Sequence, residues 1–380
     1  MPLRLGQFLS SVAFSCAALL TVAGVAGCGS LRDKPIFTMG LDATADTRRL
    51  MFPPPSSGEV PRYVFLGELR GETNVVAAEE WGQGLKNSLF WLLDIIAGPA
   101  APKQLDRPQT GTVDNKGRVF VSDIGRSAIF MFDEKVPEVK VWTKAEDIID
   151  FIAPVGIALG PEDQVFVADA ELGVVARLLP NGETLPSIGR NHLVRPNGVA
   201  FEPATGKIYV ADTGAHQVKI FNLEGILLAE LGSRGDGPGE FNFPTNVAVM
   251  HQKLYVSDTM NARVQVFSTK SGEYLRTIGK RGNFIGNLSR PKGVAVDGED
   301  NVYVIESYHD YLLIYNRQGE FLMPLGGSGF DGGKFHLPSG VWIDSRNRVY
   351  VADMLNSRVA VFQFLGGGSE SESKIGRAHV

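Results

Sequence analysis

Six acidic residues recur along the chain at a nearly fixed interval: Asp123, Asp169, Asp212, Asp258, Glu306 and Asp353, separated by 46, 43, 46, 48 and 47 positions. Carboxylates placed this way can ligate a hard cation, move a proton, or accept hydrogen bonds from a neighbouring turn. The first two roles need asymmetry, because a catalytic or metal centre uses a few groups for different tasks. Six near-equivalent copies favour the third role, so this acidic ring is expected to be structural. A second set travels with it. The residues that follow six turn prolines (Pro108, Pro154, Pro196, Pro244, Pro291 and Pro338) are Gln109, Val155, Asn197, Thr245, Lys292 and Ser339. These are mixed in chemistry and suit ligand contact better than the uniform acids do.

The elements that position both sets follow from the spacing. The prolines are 46, 42, 48, 47 and 47 positions apart, so two independent markers keep one period. Each proline opens a short apolar strand, and each acid closes a second. Arg195-Pro196-Asn197-Gly198-Val199-Ala200 leading to Ile208-Tyr209-Val210-Ala211-Asp212 is a clear copy. A period in the mid-forties with several short strands per unit predicts an all-β, six-bladed β-propeller of four-stranded blades. The repeats span 107–364 within a propeller body of 60–364. Outer strands are expected over Gly225–Leu231, Gly272–Ile278 and Gly319–Leu325, but the sixth repeat stops after Val359-Ala360-Val361-Phe362. Residues 62–69 have the character of its missing strand and are predicted to complete blade six, which removes an exposed sheet edge. Leu85, Leu89, Leu92, Leu93 and Ile96 fall at helical spacing and predict a helix over about 85–97.

Because the first two strands of a blade run antiparallel, prolines and acids share one face of the disc. The long connections Ser233–Phe243, Lys280–Arg290 and Gly327–Leu337 reach it too, making that rim and the channel mouth the expected ligand site. Blade five departs most from the repeat. Glu306-Ser307-Tyr308-His309-Asp310-Tyr311 sets aromatics, an imidazole and carboxylates where the other blades have small polar residues. Arg195, Arg234, Arg281 and Arg290 add positive charge. The candidate ligand face therefore comprises Gln109, Asn197, Thr245, Lys292, Ser339, Tyr308, His309 and Arg290.

Bulk composition narrows the function classes. The 380 residues are 44% hydrophobic and 21% charged, with net charge −5, which gives no electrostatic case for a nucleic-acid partner. The two cysteines, Cys16 and Cys28, precede the repeats, so neither a disulfide nor a cysteine metal site holds the folded part.

Residues 1–27 read as a signal peptide: Arg4, an apolar run from Phe8 to Val25, then small residues. Val25-Ala26-Gly27-Cys28 resembles the bacterial lipobox, which implies lipidation of Cys28 and attachment to a membrane. Gly29 after the cysteine points to the outer membrane, with the protein facing the periplasm or the cell surface. Residues 28–59, with Pro53-Pro54-Pro55, read as a lipidated N-terminus and extended tether. Residues 365–380 read as a disordered tail, and Ile375–Val380 resembles a translated sequencing adapter.

The repeat sentence Pro-x-Gly-Val-Ala-Val…Val-Tyr-Val-Ala-Asp…Asn-x-Arg-Val-x-Val-Phe resembles the NHL repeat. Asp258–Phe267 and Asp353–Val359 match it closely, whereas Ala128, Val174 and Tyr311 stand where Arg263 and Arg358 do. With the lipobox and tether, the arrangement resembles bacterial lipoproteins that carry six-bladed NHL propellers. The fold itself hosts enzymes, scaffolds and binding proteins. The amidating lyases of peptide hormone processing, which have an NHL-like propeller, use histidine metal ligands. Here no histidine follows a turn proline, and His192, His216, His251, His309 and His336 share no register. No Gly-x-Ser-x-Gly elbow or phosphate loop is present. The expectation is a lipid-anchored cell-envelope binding or scaffold protein that holds a protein, peptide or glycan, with no catalytic residue and no cofactor. The alternative is a calcium-dependent lactonase of the gluconolactonase type, with Asn197 and Asn246 or Glu306 as oxygen ligands.

Overall fold

The computed structural model describes residues 36–38, 50–76 and 103–366. The signal segment, Cys28, most of the tether, the helix expected at 85–97 and the tail from 367 lie outside the described residues.

Six antiparallel sheets form the six blades. The inner strands all begin on the turn prolines: Pro108–Val113, Pro154–Leu159, Pro196–Glu202, Pro244–Met250, Pro291–Val296 and Pro338–Ile343. The second strands all end on the acids: Val119–Asp123, Val165–Asp169, Lys207–Asp212, Lys253–Asp258, Val302–Glu306 and Arg348–Asp353. Each proline is the register partner of its blade's acid, and a bulge follows each pair. Proline opens a strand well because it has no N–H to leave unpaired there.

Second strands such as Val165–Asp169 are buried at every position, because neighbouring blades cover both sheet faces. That explains their unbroken apolar runs. Outer strands such as Leu227–Leu231 lie largely at the rim and are mostly exposed or half-buried. Between blades four and five, Tyr255, Val264 and Val266 pack on Val294, Val304 and Leu313, and comparable clusters fill the other seams.

The sheet of blade six contains Pro338–Ile343, Arg348–Asp353 and Arg358–Phe364, then Tyr63–Leu69, and outermost Met51–Phe52. The N-terminal strand thus closes the ring, with Leu69 opposite Val359 and Tyr63 opposite Phe364. Pairing also reaches into the stretch read as tether. Leu50 and Phe52 pack on the core of blades five and six, and Ile36–Phe37 pairs with Val75–Val76.

Candidate functional site: the proline face of the disc

All six carboxylates of the acidic ring are buried. Asp169 accepts backbone N–H bonds from Ile152, Ala153, Glu171 and Leu172. Asp123 takes those of Asp106, Arg107 and Arg126, and Asp212 those of Val194 and Arg195. In blades four and six the side chains join in. Asn261 and Arg263 donate to Asp258 at 2.8 Å, while Asn356 and Arg358 donate to Asp353 at 2.7 and 2.8 Å. Each acid therefore latches the turn that enters its own inner strand. Burial raises the carboxyls of Asp123 and Asp353 above the ordinary aspartate range, against the pull of these hydrogen bonds.

Hydroxyls beside the latches staple one blade to the next. Ser122 donates to Val155 O, Thr213 to Pro244 O and Thr259 to Pro291 O, at 2.5, 2.5 and 2.7 Å. Glycines let the inner strands approach. A Cβ on Gly198 would lie 2.6 Å from Asn246 Cα, and one on Gly293 would lie 2.8 Å from Gly340 Cα. The channel these strands enclose, about 230 Å³, is lined mainly by apolar residues such as Val199, Val247, Val294 and Trp342.

At the mouth, the residues after the prolines divide into two groups. Ser339 Oγ donates to Gln109 O at 2.8 Å, Thr245 Oγ1 reaches Lys292 O at 3.4 Å, and Gln109 folds back on Arg107 O at 3.2 Å. Those three side chains are used by the ring itself. Asn197 and Lys292 are half-buried, and their side-chain polar atoms bond no group among the described residues. Burial, together with nearby Arg290, holds the Lys292 ammonium below the ordinary lysine range.

In blade five, Glu306 accepts the Arg290 N–H at 2.6 Å and lies 2.6 Å from His309 Nδ1. His309 stands where Asn261 and Asn356 stand in blades four and six. Asp310 is likewise committed to the fold, accepting from Ser328 Oγ and Leu337 N at 2.6 and 2.7 Å. What blade five presents outward is Tyr308, 68% exposed and set edge-on to the His309 ring, and the outer edge of that imidazole.

Charge and apolar surface share this face. Arg290 is exposed, and Arg195 forms an exposed pair with Glu171 at 3.5 Å. Phe284 and Phe330, 84% and 72% exposed, stand on the connections between blades, along with Ile285 and Phe243. These apolar residues were not among the expected site residues. Their signal is a Phe-Ile or Phe placed among Gly, Asn and Asp, as in Gly282-Asn283-Phe284-Ile285-Gly286, where no strand can bury them.

Among the described residues, no three His, Cys, Asp or Glu side chains converge on a metal-sized site. His251 pairs with Asp300 at 3.0 Å beyond the far ends of the inner strands, and the His216 ring packs on Phe243 at a 57° tilt. Glu306, expected as an alternative to Asn246 beside Asn197 among calcium ligands, spends its lone pairs on the latch. A hard cation would find amide oxygens there but no free carboxylate.

Residues 193–221 match the family model for the NHL repeat. Peptidyl-glycine alpha-amidating monooxygenase of Mus musculus is 30% identical over 145 residues, 34% of this chain and 15% of that protein. The chain thus spans 15–20% of the length of the curated relatives it matches. Among solved structures, a protein of unknown function from Bacteroides thetaiotaomicron VPI-5482 superposes with TM-score 0.56 at 14% identity, covering 70% of each chain. A gluconolactonase from Xanthomonas campestris gives 0.54 at 15% identity, covering 68% of this chain and 86% of that one. At such identities the structural likeness speaks for the fold alone. The repeated proline–acid register and the closed ring of six sheets make this chain a six-bladed β-propeller, and its third blade carries an NHL repeat.

Proposed function

We propose that this protein is a binding module of the bacterial cell envelope. It is held at the membrane by a lipid on Cys28 and engages a protein, peptide or glycan partner through the proline face. The supporting observation is the exposed apolar surface around the connections of the proline face. Val194, Phe243, Met260, Phe284, Ile285, Tyr308, Phe330 and Leu355 are exposed on the proline face. The turns at the far ends of the inner strands, such as 114–117 and 297–301, are polar. Exposed apolar side chains grouped with cations around one channel mouth mark an interaction surface, whereas those on the outer strands, such as Leu228, Leu275 and Leu322, are spread along the rim. The acids of the ring, by contrast, are spent on the fold, so the face is better equipped to bind than to catalyse.

The test is co-purification from a membrane extract of the host. Wild-type protein retains a partner that Tyr308→Ser with Lys292→Gln loses, and Cys28→Ser moves the protein from the membrane to the soluble fraction. Partner retention by the double variant would move the site elsewhere, and membrane retention of Cys28→Ser would remove the anchor. Steady lactone turnover dependent on added calcium would replace the binding reading with the hydrolase one.

A further inference from the structure

The cations of the proline face are distributed unevenly. Arg234, Lys280, Arg281, Arg290 and Lys292 belong to the connections and inner strand around blades four and five. None of the five has a carboxylate oxygen within 4.0 Å among the described residues, whereas Arg195 and Arg263, on neighbouring segments, are paired with Glu171 and Asp258. Five proline-face cations without an ion-pair partner among the described residues thus cluster in one sector of a chain of net charge −5, with Arg126 and Lys334 outside it and Asp236 beside Arg234 in sequence.

Two of these groups are placed rather than free. Arg281 Nη2 donates to Met260 O at 2.7 Å, which fixes the guanidinium and leaves its other N–H groups available. The Lys292 stem is half-buried at the channel mouth, where desolvation and Arg290 both disfavour its charge. A carboxylate arriving there would relieve that cost, since opposite charge in a partly desolvated site is worth more than in water. Beside the cations stand the exposed Met260, Phe284, Ile285 and Tyr308.

Resting on the binding-face reading above, we propose that this sector docks an acidic peptide segment with apolar anchors. Its carboxylates would meet Arg281, Arg290 and Lys292, and its apolar side chains would meet Phe284, Ile285 and Tyr308. The mixture selects the partner class. Aliphatic side chains such as Ile285 and Met260 favour apolar side chains over sugar hydroxyls. Five cations on a net-acidic chain provide little for a nucleic-acid backbone, which rewards extended positive surface. Charge complementarity also sets rate and register, so binding should weaken with salt.

The experiment uses purified protein and fluorescent dodecapeptides in which Glu and Phe content vary independently. A Lys-for-Glu peptide, a thymidine dodecamer and a uronic-acid oligosaccharide serve as competing probes. Peptides carrying both Glu and Phe should bind at least about tenfold more tightly than those carrying either alone, and the Lys peptide should not bind. Arg281→Glu with Arg290→Glu should cost about tenfold or more, and Phe284→Ser should lower affinity at unchanged melting temperature. Lys116→Glu, at the far ends of the inner strands, should change nothing. Equal binding of all peptides, tighter binding of the oligonucleotide or oligosaccharide, or indifference to the double arginine change would each overturn the proposal. If the envelope partner is still lost in the Tyr308 and Lys292 double variant while acidic peptides show no preference, the binding face stands and this inference alone falls.

Discussion

Arg358 Nη1 and Glu68 Oε2 meet at 2.7 Å although 290 positions separate them in the chain. The same guanidinium donates through Nε to Asp353 at 2.8 Å and through Nη2 to Asp331 O and Lys334 O at 2.9 Å each. One 2%-exposed side chain therefore ties the closing strand, the blade-six latch and the connection from blade five.

Removing that hub should open the ring. Arg358→Met leaves Asp353 buried without its cation, a change that costs about 3–5 kcal/mol when one partner of a buried pair is deleted. Glu68→Gln, at a half-buried position, should cost about 1 kcal/mol. Urea denaturation of both variants checks the order. Equal loss, or no loss in Arg358→Met, would mean that the ring closes without this contact.

The acidic ring and the exposed face should respond oppositely to substitution. Asp169→Asn keeps one acceptor oxygen but sets an amide NH2 against the N–H donors that met the other, such as Ile152 and Ala153 at Oδ2, and should destabilise by about 3 kcal/mol. Tyr308→Ser, at an exposed position, should stay within about 0.5 kcal/mol of wild type. Thermal melts of the two variants separate a structural acid from a surface aromatic.

Glu202 gives a pH signature. Burial would raise its carboxyl, but hydrogen bonds from Thr205, Thr269 and Tyr209 overcome this and hold it below the ordinary value of 4.5. A carboxylate depressed in the folded state contributes stability that is complete above 4.5 and is lost as pH falls through the folded value. Glu202→Gln should therefore be less stable than wild type at neutral pH, with the gap narrowing as pH falls below 4.5. Stability curves of the pair across that range provide the check, and a constant gap would contradict the linkage.

Strand approach around the channel should be intolerant of one methyl group. Gly198→Ala places a Cβ 2.6 Å from Asn246 Cα, where only backbone can yield, and should cost about 2–3 kcal/mol. Gly298→Ala, with nothing within 4 Å of its Cβ, should be neutral or slightly stabilising. Denaturation midpoints of the two single variants test this pairing.

Much of the fold was legible because the repeat writes each blade twice, once in its proline and once in its acid. The closing strand was legible as a deficit in blade six, and the observed Tyr63–Leu69 differs from the expected 62–69 by one residue. The Met51–Phe52 and Ile36–Phe37 pairings were not, since two residues carry no periodicity. At the candidate site, residue type showed that blade five was unusual but not which of its groups the fold consumes. Glu306 and Asp310 serve latches, and Gln109, Thr245 and Ser339 serve the ring, whereas Lys292 and Tyr308 remain presented. That division depends on hydrogen-bond partners from neighbouring blades, which a one-dimensional pattern does not display. Phe284 lies on the Lys280–Arg290 connection, which was expected at the ligand face, but residue type alone does not show that its ring stays exposed there.

The most direct test of the binding-face account is site-specific photo-crosslinking in intact host cells. A photoreactive amino acid is placed singly at Phe284 or Tyr308 on the proline face, and at Lys116 or Arg346 at the far ends of the inner strands. The account predicts a discrete crosslinked adduct from Phe284 and Tyr308 and none from the other two. Adducts only from Lys116 and Arg346, or equally from all four, would contradict it.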